Sequence, residues 1–374
     1  MSDEPHPEPD RVDGAPHPRA TPRLIGQESA EADFLAAFSA DRLHHGWLIT
    51  GPQGLGKATL AWRIARFLLA TPGADDDGLF GAPPPPESLD IPADHPVARR
   101  VLALSDPGLK LVRRGWDEKA KRLKTVITVD EIRDLKQFFA LSSADGGRRV
   151  VIVDSADEMN PNAANALLKL LEEPPARTTL LLISHQPSRL LPTIRSRCRE
   201  LRLAPLGAAD MTAALGQAGA EVGASESQAL AQLSAGSVGD ALRLLNLDGL
   251  TLYGQLVTVL GSLPDLDRAR AIALAESVAG RGAEARLDLL LTLLDTGLAR
   301  LARTGVTGTP PQPEAAAGEA RVLTRLAPDA LSGRRWAQLA QTAGDRLRHG
   351  RAVNLDPASL VLDTLLQMQR TARP

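Results

Sequence analysis

The sequence predicts an α/β domain built on a parallel sheet, followed by an all-helical region. In the first half of the chain, short unbroken apolar runs alternate with segments of helical spacing. A glycine-rich loop separates the first apolar run from the helix that follows it. From about residue 206 onward no strand pattern is found, and the apolar residues have helical spacing.

The elements of the α/β domain are predicted from these patterns. Apolar residues at helical spacing indicate helices, and short apolar runs without alternation indicate buried strands. In chain order they are a helix over 28–40, a strand over 46–50, helices over 57–70 and 129–141, a strand over 149–153, a helix over 162–171 and a strand over 179–184. Pro174 and Pro175 end the helix over 162–171, because proline does not continue a helix.

The remaining segments divide the chain into domains. Residues 1–22 are polar and proline-rich and predict a disordered tail. The α/β domain covers 23–205, a small helical domain of three short helices covers 206–250, and a helical C-terminal domain covers 251–374, interrupted over 304–318. Residues 73–96 are rich in proline and glycine and predict a loop. Residues 110–125 carry seven basic and two acidic side chains; they predict a solvated loop, with a DNA-phosphate contact as the alternative.

Composition excludes several classes of protein. The 374 residues are 43% hydrophobic but 3% aromatic, and the formal net charge of −2 gives no general attraction to nucleic acid. A single cysteine and seven scattered histidines exclude a disulfide framework and a zinc site. No apolar run approaches the roughly 20 residues that span a bilayer, and the start lacks a signal peptide. We therefore expect a cytoplasmic protein without a membrane partner.

The glycine-rich loop has the pattern of a phosphate-binding loop. Residues 51–57 (GPQGLGK) match the first seven positions of G-x-x-x-x-G-K-[ST] between a strand and a helix. An ordinary glycine-rich turn is the alternative. In the pattern, the last position is a serine or threonine whose hydroxyl holds Mg²⁺, but here it is alanine. The threonine that follows lies about 100° further round the helix. The predicted nucleotide-contacting residues of the loop are Gly51, Gly54, Gly56, Lys57, Ala58 and Thr59.

Asp154 ends a second apolar strand, as does the carboxylate that holds the Mg²⁺ water shell in P-loop proteins. A turn aspartate is the alternative. In the ATPases that use this arrangement a glutamate follows and polarises water, whereas here Ser155 follows. Serine alone is not a general base. The sequence therefore argues against efficient hydrolysis in this site, and we assign no metal ligand.

Three later stretches resemble bacterial clamp-loader subunits, which are AAA+ proteins. They are residues 162–175 (NAANALLKLLEEPP), 178–184 (TTLLLIS) and 191–198 (LPTIRSRC). The resemblance covers roughly residues 23–250 and is greatest to the delta-prime type of DNA polymerase III clamp-loader subunit, which is related to gamma/tau. It implies an AAA+ α/β domain, a helical lid over 206–250 and a helical collar for oligomerisation over 251–374.

The resemblance also implies roles for individual residues. Arg197 matches the arginine that reaches into the ATP site of a neighbouring subunit, where its charge stabilises the transition state. A surface or intramolecularly paired arginine is the alternative. Ser184 matches the polar sensor at the end of its strand. Gly239 stands where motor subunits carry a second sensor arginine, so Ala58, Ser155 and Gly239 are three lost parts of the nucleotide machinery.

Two functions follow as expectations. The first is a clamp-loader subunit within the DNA polymerase III holoenzyme, which is a DNA-directed nucleotidyltransferase. Such a subunit assists loading of the sliding clamp onto primed DNA by supplying Arg197 to a neighbouring ATPase. Its partners are then gamma/tau and delta in a hetero-pentamer. The alternative is a self-sufficient AAA+ ATPase such as the gamma/tau motor. A P-loop kinase leaves residues 196–198 unexplained. Weakly bound ATP or ADP is the expected cofactor, with Mg²⁺ left open and no zinc.

Overall fold

The protein is described by a computed structural model that covers residues 8–40, 42–71, 86–140, 147–353 and 355–373. The described chain divides into two compact units. The first contains the residues up to Ala220 together with Ser237–Gly239. The second contains Glu221–Gly236 and the residues from Asp240 onward.

Strands are confined to the first unit of the described chain. They are β1 (Gly46–Thr50), β2 (Leu109–Val112), β3 (Trp116–Asp117), β4 (Arg122–Leu123), β5 (Arg149–Val153), β6 (Thr178–Ser184) and β7 (Arg199–Arg202). The α-helices of the described residues are α1 (Glu28–Ser39), α2 (Lys57–Ala70), α3 (Pro96–Leu102), α4 (Val129–Ala140), α5 (Pro161–Glu172), α6 (Pro192–Arg195), α7 (Ala208–Gln217), α8 (Ala224–Leu233), α9 (Val238–Asn246), α10 (Gly249–Gly261), α11 (Arg268–Glu276), α12 (Glu284–Thr307), α13 (Glu319–Leu326), α14 (Ala330–Ala352) and α15 (Pro357–Thr371).

The central sheet of the first unit has five parallel strands in the order β2-β5-β6-β1-β7. Strand β1 lies between β6 and β7, with Gly46 opposite Leu180 and Trp47 opposite Arg199. Every residue of β1 and β6 is buried, as expected for strands covered on both faces. The predicted α/β fold class with a helical C-terminal region is confirmed.

Separate hydrophobic cores lie on the two faces of the sheet. Trp47 and Ile49 of β1 pack in the core that contains most of α2. Leu48 packs in the other core, which contains Leu167 and Leu171 of α5. Alternate residues of a strand point to opposite faces, so β1 joins both cores. The carboxyl ends of the parallel strands meet at one edge of the sheet, where ligands bind in open α/β folds.

Some elements of this unit were not predicted. The edge strands β2 and β7 were missed because polar side chains interrupt them: β7 (RELR) buries only Leu201. The predicted loop over 110–125 contains most of β2 and the β3–β4 hairpin. Residues 73–85 of the predicted proline-rich loop, and Leu141 at the end of the helix predicted over 129–141, lie outside the described residues.

The predicted disordered tail is partly ordered. Residues 1–7 lie outside the described part of the chain, but His17 is buried and Pro18–Ala20 form a turn of 3-10 helix. Arg66 of α2 donates a hydrogen bond to the carbonyl of Arg19 at 2.6 Å. Composition predicted disorder because the segment has few apolar residues; ion pairs and hydrogen bonds to the α/β domain hold it instead.

The second unit is all-helical in its described residues. Helices α12 and α14 cross in close contact, and a Cβ on Gly305 would lie 2.6 Å from the Cα of Gly333. Arg300 pairs with Glu319, which also accepts a hydrogen bond from the hydroxyl of Tyr253 at 2.6 Å. The three helices predicted over 206–250 are present as α7, α8 and α9, but α7 belongs to the first unit. A lid and a collar as separate domains stay a prediction. None of the described helices combines the length and the apolar character that crossing a bilayer requires.

Candidate functional site

The glycine-rich loop lies at the carboxyl end of β1 and leads directly into α2, as predicted. Gly51, Gly54 and Gly56 have φ angles of 139°, 77° and 89°, in the region where residues with a side chain are strained. Helix α2 begins at Lys57, so the backbone N–H groups of its first turn face the loop. A glycine-rich turn between a strand and a helix start is the arrangement that phosphate-binding loops have.

Lys57 is bonded to the loop that carries it. Its side chain is buried, and its ammonium donates hydrogen bonds to the carbonyl of Gly51 at 2.7 Å and to the carbonyl of Pro52. Burial lowers the pKa of Lys57 to about 8, against the opposing effect of Asp154 and Asp157. These two bonds use two of the three N–H donors of the ammonium and leave one for a ligand.

Residues 237–239, which belong to the same unit as the loop, form hydrogen bonds with it. The N–H of Gly239 donates to the carbonyl of Gly54 at 3.0 Å, and the hydroxyl of Ser237 donates to the carbonyl of Gln53 at 2.9 Å. A Cβ on Gly239 would lie 2.8 Å from the Cα of Gly54, a distance that real side chains do not adopt. No side chain fits here without displacing the loop.

Asp154 lies at the end of β5, as predicted, and is buried. Burial, with the nearby charges of Asp10 and Glu158, raises the pKa of Asp154 to about 7. The residue after Lys57 is Ala58, whose side chain has no oxygen, and the described residues contain no cluster of three potential metal ligands. These residues do not fit a magnesium ion in the usual P-loop arrangement.

Ser184 is the last residue of β6, and Ser155 lies two residues beyond the end of the neighbouring strand β5. The hydroxyl of Ser155 lies 3.1 Å from Nε2 of His185. Asp157 accepts a hydrogen bond from the backbone N–H of His185 at 3.0 Å. Burial lowers the pKa of His185 to about 4 and keeps it neutral. Ser184 is fully buried, and its hydroxyl has no hydrogen-bond partner in the described part of the chain. The Ser155–His185 pair was not predicted, since the two residues are 30 positions apart.

The N-terminal segment lies against this site. Asp10 pairs with Arg113, just beyond the end of β2, at 2.6 Å. A Cβ on Gly56 would lie 2.6 Å from the side chain of Leu24, and one on Gly239 would lie 3.7 Å from that of Val12. Residues 8–24 therefore contact the loop and contribute a negative charge beside Asp154. Sequence reasoning missed this contact because nothing in the local pattern of the segment indicates it.

Arg197 lies at the opposite edge of the sheet. Its carbonyl would be 3.1 Å from a Cβ on Gly46, the first residue of β1, whereas the glycine-rich loop follows the last residue of that strand. Four residue steps along a strand separate the two ends by roughly 13 Å. The side chain is 37% exposed; its Nη2 pairs with Glu172 at 3.0 Å and its Nη1 donates to the carbonyl of Thr193 at 3.1 Å.

Comparison with known proteins places the chain in a family. A family model described as DNA polymerase III, delta subunit, matches residues 26–207. DNA polymerase III subunit delta' of Escherichia coli is 32% identical over 275 residues, 71% of this chain and 73% of that protein. The chain belongs to the DNA polymerase III delta' family. The delta' subunit of Pseudomonas aeruginosa is 38% identical over 200 residues, and gamma/tau of Mycobacterium tuberculosis is 30% identical over 187 residues.

These matches to delta' and gamma/tau proteins are partial in length. The matched region covers 54% of this chain and 55% of the Pseudomonas delta' subunit. For the Mycobacterium gamma/tau subunit it covers 48% of this chain and 28% of that protein. The matches therefore establish the family, while activity and partners need an argument from the chain's own residues.

The predicted residues of this delta' family member fall into two places. One group surrounds the carboxyl edge of the sheet: Gly51, Gly54, Gly56, Lys57, Ala58, Thr59, Asp154 and Ser184. Arg197 lies at the amino edge, beside the end of α5. In the first group, Lys57 and Gly54 bond within the first unit, whereas the guanidinium of Arg197 bonds to Glu172 and Thr193.

Proposed function

We propose that this chain is a clamp-loader subunit that supplies Arg197 to the ATP site of a neighbouring subunit and hydrolyses little or no ATP itself. The observation that carries the proposal is the placement of Arg197 at the sheet edge opposite its own phosphate loop. A gap of roughly 13 Å along β1 is longer than an arginine side chain, so Arg197 serves no function at its own loop. Its partial exposure leaves it accessible to another subunit.

The state of the chain's own loop supports the proposal. Lys57 bonds to two loop carbonyls, and Gly239 stands where the resemblance places a sensor arginine. Ser155 stands where a general base is needed and is bonded to a neutral histidine. A site with these features can hold ATP or ADP weakly, but it lacks the groups that orient Mg²⁺ and activate water.

The assembly follows from this role. A finger in trans requires an adjacent ATPase subunit, and the gamma/tau proteins to which the chain is similar are the natural candidates. We propose a hetero-pentamer with gamma/tau and delta that loads the sliding clamp onto primed DNA in the cytoplasm. The helical second unit would form the collar between subunits. Polymerisation activity then belongs to the complete holoenzyme, not to this chain.

One observation favours the alternative, a self-sufficient ATPase. The hydroxyl of Ser184 is fully buried without a partner in the described residues, at the strand end where a γ-phosphate sensor lies. Turnover by the isolated chain decides between the two. We expect no steady-state hydrolysis above background; turnover in the range typical of enzymes, about 1 s⁻¹ or more, would establish the alternative.

The finger itself is tested in the reconstituted complex with primed DNA and clamp. Arg197→Ala is expected to lower the DNA-stimulated ATPase rate at least about tenfold, because a trans arginine stabilises the charge of the transition state. Arg195→Ala is the matched control, since Arg195 is an exposed arginine two positions earlier. Equal rates for both variants would refute the assignment.

A further inference from the structure

Glu172 and Arg197 form an ion pair at the amino edge of the sheet. Glu172 is the last residue of α5, and its Oε1 lies 3.0 Å from Nη2 of Arg197. The carbonyl of Thr193 accepts from Nη1 of the same guanidinium at 3.1 Å. An arginine has five N–H donors, so these two contacts orient the group and leave other donors available to a ligand.

The backbone beneath the pair is tightly packed. A Cβ on Gly46 would lie 2.9 Å from the side chain of Leu171 and 3.1 Å from the carbonyl of Arg197. Leu171 is buried, and its carbonyl bonds to Nε2 of His45 at 2.9 Å. The end of α5 and the backbone of Arg197 therefore both pack against the start of β1, at His45 and Gly46. Their relative position is fixed by the fold, not by the ion pair.

The ion pair acts on the side chain of Arg197. An exposed pair of this kind contributes little to folding free energy. The pair restricts the rotamers of the long Arg197 side chain. Without it, that side chain has to be ordered when a ligand binds. Orientation of the guanidinium before assembly is thus the main effect of a carboxylate at this position.

We propose that Glu172 is a positioning residue that orients Arg197 for the neighbouring ATP site. This rests on the proposed function of Arg197. Glu172 contacts no nucleotide in this role and holds the guanidinium in the conformation that meets the γ-phosphate of the adjacent subunit. Removal of its charge slows hydrolysis in the neighbour by letting the arginine sample other rotamers.

Glu173 provides a matched control. It is the next residue along the chain, it is exposed, and no ion pair involving it is found in the described residues. Glu173→Gln changes net charge by the same amount as Glu172→Gln and at nearly the same place. A general electrostatic effect on the assembly changes both variants equally, whereas positioning is specific to Glu172.

The test measures kcat and KM for ATP in the reconstituted complex. Glu172→Gln is expected to lower kcat about two- to fivefold with KM unchanged, Glu173→Gln to leave both unchanged, and Glu172→Asp to restore part of the loss. On an Arg197→Ala background, Glu172→Gln is expected to have no further effect. Thermal melting of each purified chain checks that all variants fold.

The outcomes separate the two proposals. If Arg197→Ala leaves kcat unchanged, the arginine finger is wrong. If Arg197→Ala lowers kcat but Glu172→Gln equals the parent chain, positioning by Glu172 is wrong and the finger stands. A further loss when Glu172→Gln is added to Arg197→Ala also contradicts positioning, because the carboxylate would then act independently of the arginine.

Discussion

The backbone N–H of Gly239 donates a hydrogen bond to the carbonyl of Gly54, with 3.0 Å between nitrogen and oxygen. This contact joins Gly239, near the start of α9, to the middle of the glycine-rich loop within the first unit. The resemblance to motor subunits places an arginine at position 239, and the Cα of Gly54 occupies the space its Cβ would need. The glycine at position 239 and its contact with the loop therefore depend on each other.

Gly239→Ala tests this contact directly. The added Cβ would lie 2.8 Å from the Cα of Gly54, so the loop or α9 must move. We expect a loss of about 1–3 kcal/mol in the free energy of unfolding, the usual cost of overpacking. Denaturant unfolding measures it. Gly254→Ala in α10, where nothing lies within 4 Å, is the control and is expected to stabilise by about 0.5–1 kcal/mol.

Arg113→Ala tests the attachment of the N-terminal segment. Arg113 pairs with Asp10, whose side chain is 1% exposed, and with Glu8 at 3.3 Å. Its removal leaves a buried carboxylate without this partner, at a cost of about 1–3 kcal/mol. We expect trypsin to cleave after the exposed Arg11 several times faster than in the parent chain.

Arg133→Ala is the control for this measurement. Arg133 pairs with Asp130 at 3.3 Å, but both side chains are mostly exposed, at 65% and 78%. Such a pair contributes about 0–1 kcal/mol, so cleavage near the N-terminus is expected to be unchanged. The same cleavage rate in Arg113→Ala and the parent chain would show that the segment is not held by this ion pair.

Cys198 reports on the backbone next to Arg197. Its sulfur would lie 3.3 Å from a Cβ on Gly46, and burial raises the pKa of the thiol to about 12. The thiolate is the reactive form, so iodoacetamide at pH 8.5 is expected to label the folded chain at least about tenfold more slowly than the urea-unfolded chain. Because the chain has one cysteine, mass spectrometry gives the rate without ambiguity. Equal rates in the two states would contradict the packing around residues 197–198.

The parts of the fold that sequence predicted are those with a local signature. Strands β1, β5 and β6 are unbroken apolar runs, and the phosphate loop has glycines where φ is positive. The edge strands β2 and β7 lack this signature, because a strand at a sheet edge carries polar side chains. Their pairing with β5 and β1 is a tertiary property.

The sequence names candidate residues for the site but not their contacts. The loop residues and Asp154 follow from motif spacing, whereas Ser184 follows from the resemblance to clamp-loader subunits. The contacts of Asp10 with Arg113 and of Glu172 with Arg197 join residues 103 and 25 positions apart in the chain. Such pairs arise from the folded arrangement and leave no periodic pattern.

The most direct measurement compares two variants in the reconstituted complex: Arg197→Ala and Lys57→Met. If the chemistry lies in the neighbouring subunit, Arg197→Ala lowers the DNA-stimulated kcat for ATP at least about tenfold, while Lys57→Met stays within about twofold of the parent complex. The opposite result, a complex inactivated by Lys57→Met and unaffected by Arg197→Ala, would show that this chain hydrolyses ATP in its own site.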